Sequence, residues 1–307
     1  MALEEESSRD LPTSYTRKQI FGQKFVKPYQ SPLIINTEDY DNVTSKLRSF
    51  FSKMGFQEAS TQNRLSILAA CEDPFNVACF NYASNTWPLP QTGQMWLEYE
   101  LLKNPEAKGF YCITTSYRME ENPVEGRHDI IFPLFEFEMR GSMEELIEME
   151  KDLLDHLGYP RSQFRRDRYS NIAADFDTEE LEHEHEQRLY DDHSPTYFIT
   201  DFPEFTDPFW NMKRNSLENT AKKVDVILSG QETIGSAERE TDRDTMRLRF
   251  ETIMGGKYRD KLYELFGRER TTAELDDYLN FDFFERCGGG IGVTRLIRSM
   301  KLEGLLA

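Results

Sequence analysis

Residues 130–138, IIFPLFEFE, leave the backbone little choice. Bulky aromatic and branched residues favour a strand, and a strand turns successive side chains to opposite faces. Phe132, Leu134, Glu136 and Glu138 therefore share one face. The preceding stretch, GFYCITTSYRMEEN, is also strand-like, and the polar turn NPVEG joins the two. On it Thr114, Ser116, Arg118 and Glu120 fall on one face. As plain core, such a surface would bury three carboxylates and a guanidinium at high cost. As plain surface, it would expose Phe132 and Leu134. A pocket satisfies both: an aromatic for a ring, Arg118 for an anion, and acids for an amine or metal-bound water. A solvated hairpin with incidental ion pairs is the alternative.

Helices and further strands surround this hairpin. TEDYDNVTSKLRSFFSKMG has Thr37 as an N-cap, apolar positions at helical spacing and Gly55 as a stop. SMEELIEMEKDLLDHLGY carries a capping box, Ser142 with Glu145, and ends at Gly158. PTYFITDFP and KKVDVILSGQETIG read as strands, and RDTMRLRFETIMG and TTAELDDYLNFDFFE as helices. Hairpins in the middle with helices around them predict an α+β fold, an antiparallel β-sheet flanked by helices. Residues 1–35 read as an extended, partly disordered arm, and 36–307 as one catalytic domain.

Composition narrows the classes. The 307 residues suffice for a real core, and 22 Phe and 14 Tyr indicate a folded chain. A net charge of −18 argues against a broad nucleic-acid footprint. Four dispersed cysteines, with no CxxC, point to neither a zinc site nor a disulfide framework. The polar N-terminus reads as no signal peptide and no run of 18 apolar residues occurs, so a cytoplasmic protein with no membrane partner is expected. In ELEHEHEQ, His183 and His185 would point to different faces of a solvated helix, so a shared metal is not expected there.

Two further stretches carry chemistry. CGGGIGVTRLIRSM has three consecutive glycines and Gly292, with Arg295 just inside a following helix. The glycines allow a ligand or another backbone to come close, and a tight packing turn would use them equally well. No GxxxxGK[ST] occurs, so this is not a P-loop. In VDVILSGQETIGSAER, an apolar strand leads to Glu232, then Gly235, Ser236 and Arg239. A carboxylate there suits Mg²⁺ held against phosphates, and an ordinary strand-turn fits as well.

Taken in order, the three stretches resemble the catalytic core of class II aminoacyl-tRNA synthetases, aspartyl/asparaginyl subgroup. YRMEENPVEGRHDIIFPLFEFE is similar to that family's second motif and GGGIGVTRL to its third. GQETIGSAER and ITDFPEFTDPFWNM are similar to the subgroup's site-closing segment and the strand before it. The resemblance spans about residues 38–304. It implies amino-acid activation with ATP and Mg²⁺, forming an aminoacyl-adenylate, AMP and pyrophosphate.

By the resemblance, Arg118 would hold the α-phosphate and the amino-acid carboxylate. Glu120 would lie by the adenine and Phe132 would stack on it. Arg127 and His128 would meet the β- and γ-phosphates, Arg295 the γ-phosphate, and Glu232 the Mg²⁺. Arg118, Arg295 and Glu232 are thus the expected catalytic set. Arg239 would contact the side-chain oxygen of the amino acid, with Gln91, Gln94, Glu136, Glu138 and Gly290 around it. Aspartate-using relatives carry a Lys where this chain has Leu97, which favours a neutral side chain such as asparagine.

The chain also departs from the pattern. Gln62 stands where the first motif has a proline at the dimer interface, although a homodimer remains the expectation. About 35 residues precede the core, where an anticodon-binding barrel needs roughly a hundred. No anticodon-binding domain is therefore expected, and tRNA is disfavoured as a partner. The GGGIGxxRL string is especially similar to asparagine synthetases that make the amide from aspartate, ATP and ammonia. The expected activity is amino-acid activation followed by transfer to ammonia or another amine. Transfer to tRNA or a carrier, and a non-catalytic sensor of an amino acid or nucleotide, are the alternatives.

Overall fold

The computed structural model describes residues 35–61, 66–70, 73–120, 129–215 and 217–306. The expected arm, and Gln62, Arg127 and His128, lie outside the described residues. Strands β1 (Gln57–Glu58), β4 (Gly109–Tyr117), β5 (Ile131–Arg140), β6 (Phe164–Arg168), β7 (Thr196–Pro203), β8 (Arg214–Asn215), β9 (Thr220–Leu228), β10 (Gln231–Glu238) and β11 (Arg286–Gly292) form one sheet; β2 (Cys79–Tyr82) and β3 (Asn85–Pro88) form a separate hairpin. The order is β1-β4-β5-β11-β10-β9-β7-β6, with β8 also on β9. The β1–β4 and β6–β7 pairings are parallel and the others antiparallel. This is the expected α+β architecture with a mainly antiparallel sheet.

The helices are α1 (Thr37–Lys53), α2 (Gln94–Lys103), α3 (Met143–Leu157), α4 (Tyr169–Asp175), α5 (His183–Asp192), α6 (Arg243–Thr252), α7 (Lys257–Phe266), α8 (Arg268–Leu279) and α9 (Val293–Leu302). Apolar stripes of α1, α3 and α9 cover one face of the sheet, burying Leu47, Phe51, Leu146, Leu153 and Leu296 against Phe135, Phe137, Val226 and Ile291. The opposite face carries the polar residues of β4 and β5. There α2 seals one end through Leu97, Leu101, Phe110 and Cys112. A second apolar cluster gathers α6, α7 and α8 around Trp210.

Capping explains several boundaries. The Ser142–Glu145 box starts α3, and Gly158 ends it in the left-handed region at φ 104°. At α1 the cap is Asn36 rather than Thr37: its side chain accepts from the Glu38 and Asp39 amides at 2.9 and 3.0 Å. The stretch KKVDVILSGQETIG is two strands, because Ser229 and Gly230, both at positive φ, form a tight turn between β9 and β10. His185 is not a solvated side chain. It is buried, its Nδ1 accepts from the Glu182 amide at 2.9 Å, and its ring stacks on Phe176.

Candidate active site

Register brings the charged residues together. Antiparallel pairing sets Cys112 opposite Glu136, and Glu136 opposite Gly290 on β11. On the other side of β11, Gly290 lies opposite Gly235 of β10. Above this face opens a cavity of about 770 Å³. Of the residues singled out in the sequence, Gln94, Arg118, Glu120, Phe132, Glu136, Glu232, Arg239, Gly290 and Arg295 line it. Glu138 lies buried behind the wall, paired with Arg239. Gln91 does not reach the wall: it exchanges hydrogen bonds with the main chain of Asp73, at 3.1 and 2.9 Å, and so holds the 73–76 turn.

Two arginines line the cavity beside the hairpin and helix that carry them. Arg118 follows β4, with its amide donating to the Ile130 carbonyl at 2.9 Å. Its guanidinium carbon lies 5.5 Å from the centre of the Phe132 ring. Arg295, in the first turn of α9, donates to the Glu232 carbonyl at 2.6 Å. A polyanion bound in the cavity would meet these cations in a partly closed space, where such contacts count for more than in water.

Beside Arg295 the β9–β10 hairpin presents two carboxylates. Asp225 is buried, and its Oδ1 has no hydrogen-bond partner among the described residues. A Cβ on Gly235 would stand 3.0 Å from Glu232 Oε1 and 3.7 Å from Asp225 Oδ1, so both carboxylates face the space that this glycine leaves open. Lys223 holds the other Asp225 oxygen at 2.7 Å. Burial pushes the Asp225 carboxyl up to about 7; Lys223 opposes the rise and Glu232 adds to it. Two carboxylates with an open side suit a hard divalent cation such as Mg²⁺, which completes its shell with phosphate oxygens and water. Among the described residues no group of three or more His, Cys, Asp or Glu gathers around one point, so an all-protein metal cage is not built here.

Behind Arg239 lies a buried ion-pair network. Arg239 sits 3.1 Å from Glu138 and 3.6 Å from Glu98. Glu98, on α2, also accepts from Arg286 at 2.7 and 3.0 Å, from the Tyr278 hydroxyl at 2.6 Å and from Asn211 at 2.7 Å. Burial alone would raise the Glu98 carboxyl, but Arg286 and Arg239 hold it below its ordinary value. For Glu138 burial prevails over Arg239 and, with Glu98 adding to it, pushes the carboxyl up to about 7. Nearer the cavity Glu136 takes hydrogen bonds from the hydroxyls of Thr92 and Thr114 and from the Gly93 amide, the last at 2.8 Å. Gln94 donates to Glu138 and to the Phe137 carbonyl, the latter at 3.0 Å.

Leu97 stands away from this network. It is fully buried among Leu101, Phe110 and Cys112 and does not line the cavity, so it gives no basis for substrate choice. The side chains that do reach the network from α2 are its neighbour Glu98 and, a turn earlier, Gln94. Sequence reasoning missed Glu98, Asn211, Asp225, Tyr278 and Arg286. A signal existed for two of them. Glu98 is an acid in the apolar run MWLEYELL, and Asp225 lies across a two-residue turn from Glu232.

Comparisons with known proteins agree with this geometry. Residues 30–303 match the family described as tRNA synthetases class II (D, K and N). No curated protein matches the sequence. Among solved structures, asparaginyl-tRNA synthetase from Pyrococcus horikoshii complexed with asparaginyl-adenylate aligns with a TM-score of 0.69 at 18% identity, covering 85% of this chain and 64% of its own. Asparaginyl-tRNA synthetase of Entamoeba histolytica gives 0.68 at 19% identity, over 87% of this chain and 64% of its own. Aspartyl-tRNA synthetase of the same organism gives 0.62 at 18%, over 85% and 54%. The chain thus spans less than two thirds of the length of these structures.

Proposed function

The chain belongs to the class II tRNA synthetase family for aspartate, lysine and asparagine, and from that premise we propose that it activates an amino acid of the aspartate–asparagine type with ATP and passes the acyl group to ammonia. The observation that carries this reading is the lining of one cavity. It has Arg118, Arg295 and Glu232, with Asp225 beside Gly235, for phosphate and metal. It also has Arg239, a donor, and Glu136, an acceptor, for an amino-acid head.

In the first step a carboxylate oxygen of the amino acid attacks the α-phosphorus. The bond to the bridging oxygen breaks and pyrophosphate leaves. The attacking group is already ionised, so no general base is needed. Arg118 and Arg295 take up the charge that develops on the phosphates. Asp225 and Glu232 would hold Mg²⁺, which when bound neutralises phosphate charge. In the second step ammonia adds to the acyl carbon, the bond to AMP breaks, and the nitrogen sheds one proton.

Aspartate suits this sequence in one orientation. With its α-ammonium towards Glu136 and its α-carboxylate towards Arg239, both on the cavity wall, it presents the β-carboxylate towards Arg118, and the product is asparagine. The net charge of −18 favours a small acceptor, because a polyanion is repelled. The proposal includes a cytoplasmic enzyme, a catalytic domain over residues 36–307, and a homodimer built on α1 and β1. Sedimentation showing only monomer at micromolar concentration removes the dimer.

The decisive experiment is ATP–pyrophosphate exchange with each of the twenty amino acids, followed by AMP release from the best of them with and without ammonium. Aspartate-dependent exchange and ammonium-dependent AMP release are expected. Exchange with no amino acid overturns the reading. A second reading, transfer of asparagine to tRNA, draws on the asparaginyl-adenylate bound in a neighbouring structure. It predicts asparagine-dependent exchange and no response to ammonium.

A further inference from the structure

A further cation lines the cavity, and neither step above uses it. Lys223, on β9, faces the same space as Arg118 and Arg295. It stands two residues before Asp225, so both side chains leave the same face of the strand. Its ammonium lies 2.7 Å from Asp225 Oδ2 and 4.1 Å from the centre of the Phe202 ring on β7. A carboxylate and an aromatic face thus both hold the charge. The side chain is still 25% exposed. The lysine is seated without being shut in.

Asp225 is therefore divided between two uses. Lys223 has one oxygen. The other has no hydrogen-bond partner among the described residues and, like Glu232, faces the space over Gly235. A divalent ion in that space would share a carboxylate with an ammonium, and like charges repel strongly where water is partly excluded. We propose that Lys223 is an internal cation that keeps a divalent ion off Asp225 until nucleotide binds, and that its ammonium then moves to a phosphate oxygen. The Asp225–Glu232 pair accordingly takes metal and nucleotide together. Phosphate oxygens do two things at once: they draw off the ammonium and complete the shell of the metal. A lysine suits this exchange, because a compact charge on a flexible stem changes partner and keeps its proton. The hairpin need not move. The Glu232 amide donates to Glu186 of α5 at 2.9 Å, and the Glu232 carbonyl accepts from Arg295 at 2.6 Å.

This role leaves a signature of two opposite signs. Without Lys223, metal binds better when nucleotide is absent, and nucleotide binds worse when metal is absent. A packing role would weaken both. A proton also competes for Asp225 and also gains when Lys223 is removed, but a divalent ion carries twice the charge and gains more.

The inference rests on the proposed ATP reading, and the test keeps the two apart. The full chain is used at pH 8. Mn²⁺ binding without nucleotide is followed by the loss of the electron paramagnetic resonance signal of unbound Mn²⁺. ATP binding is followed by calorimetry, once in EDTA and once with Mg²⁺. The wild type is expected to hold Mn²⁺ weakly, and to bind ATP in EDTA less tightly than with Mg²⁺. In Lys223→Met, Mn²⁺ should bind about tenfold more tightly, and ATP in EDTA about tenfold less tightly. Lys223→Arg keeps the charge and should return both affinities toward wild type. Lys223→Met/Asp225→Asn should lose the gain in Mn²⁺ affinity, which assigns that gain to Asp225. If Lys223→Met does not fold, Lys223→Gln takes its place with the same two shifts expected.

An unchanged Mn²⁺ affinity in the neutral variant overturns the inference, as does an unchanged ATP affinity in EDTA. Weakening of both makes Lys223 a packing residue and overturns it too. So does a wild type that binds ATP with Mg²⁺ and not at all in EDTA. If the wild type binds no ATP even with Mg²⁺, the nucleotide reading itself has failed.

Discussion

Arg295 donates to the main-chain carbonyl of Glu232 at 2.6 Å, while the Glu232 carboxylate stays 3.8 Å from the same nitrogen. The arginine is therefore anchored through backbone, and the carboxylate keeps its face toward Gly235. Position and charge are handled by different atoms of one residue. Arg295→Ala should remove both the anchor and a phosphate contact, and Arg118→Ala a phosphate contact at the other side. Each is expected to lower exchange by about a hundredfold or more, with circular dichroism unchanged. Near-normal exchange in either variant removes it from the phosphate assignment.

Asp225→Asn and Glu232→Gln address the metal. Each leaves the hairpin shape intact and takes one charge from the space above Gly235. The Mg²⁺ concentration for half-maximal exchange should rise roughly tenfold or more in each. A titration curve that coincides with wild type sinks the assignment of that carboxylate.

Leu97→Lys tests the sequence expectation directly. Leu97 has no exposed surface and packs on Leu101, Phe110 and Cys112. A lysine there puts an unpaired charge into an apolar cluster, so a loss of about 3 kcal/mol or more is expected in chemical denaturation. A stable variant with a new preference for aspartate would restore Leu97 as a specificity position.

Glu150 gives a pH dependence. It is fully buried on α3, and burial pushes its carboxyl from 4.5 up to about 8, with Ser236 opposing and Asp225 adding. The folded chain thus keeps a proton that the unfolded chain has released, and its stability falls as pH rises between those two values. Glu150→Gln should flatten that fall, giving a higher melting temperature than wild type at pH 9 and a smaller difference at pH 5. Parallel melting curves for the two proteins across the range would contradict the buried, protonated carboxyl.

Much of this was legible in the sequence. The FEFE alternation fixed the face that carries Glu136 and Glu138, and the Ser142–Glu145–Gly158 pattern fixed α3, because strand period and capping chemistry are local. The hub at Glu98 was not legible. Its partners, Asn211, Arg239, Tyr278 and Arg286, come from distant segments, and only the sheet register and the seating of α8 bring them within reach. Gln91 failed for a related reason. A polar residue near a site looks the same in sequence whether it faces the ligand or, as here, the backbone of Asp73.

The glycines of β11 leave room in the sequence for a ligand or for another backbone, and at two of them it is neighbours that take the room. A Cβ at Gly288 would collide with the Glu138 carboxylate and the Phe137 carbonyl oxygen, and one at Gly289 with Ser236 and the Gly235 carbonyl oxygen. The strand is bare because the main chain and side chains of its companions already fill that volume. The two segments consequently behave as a single heritable unit. A library randomised only at 288–289, screened for folding, should return glycine. Joint libraries that also shorten the acid at 138 should still return glycine at 288, because the Phe137 carbonyl oxygen occupies the same space, and the pair marks where this site resists being remade.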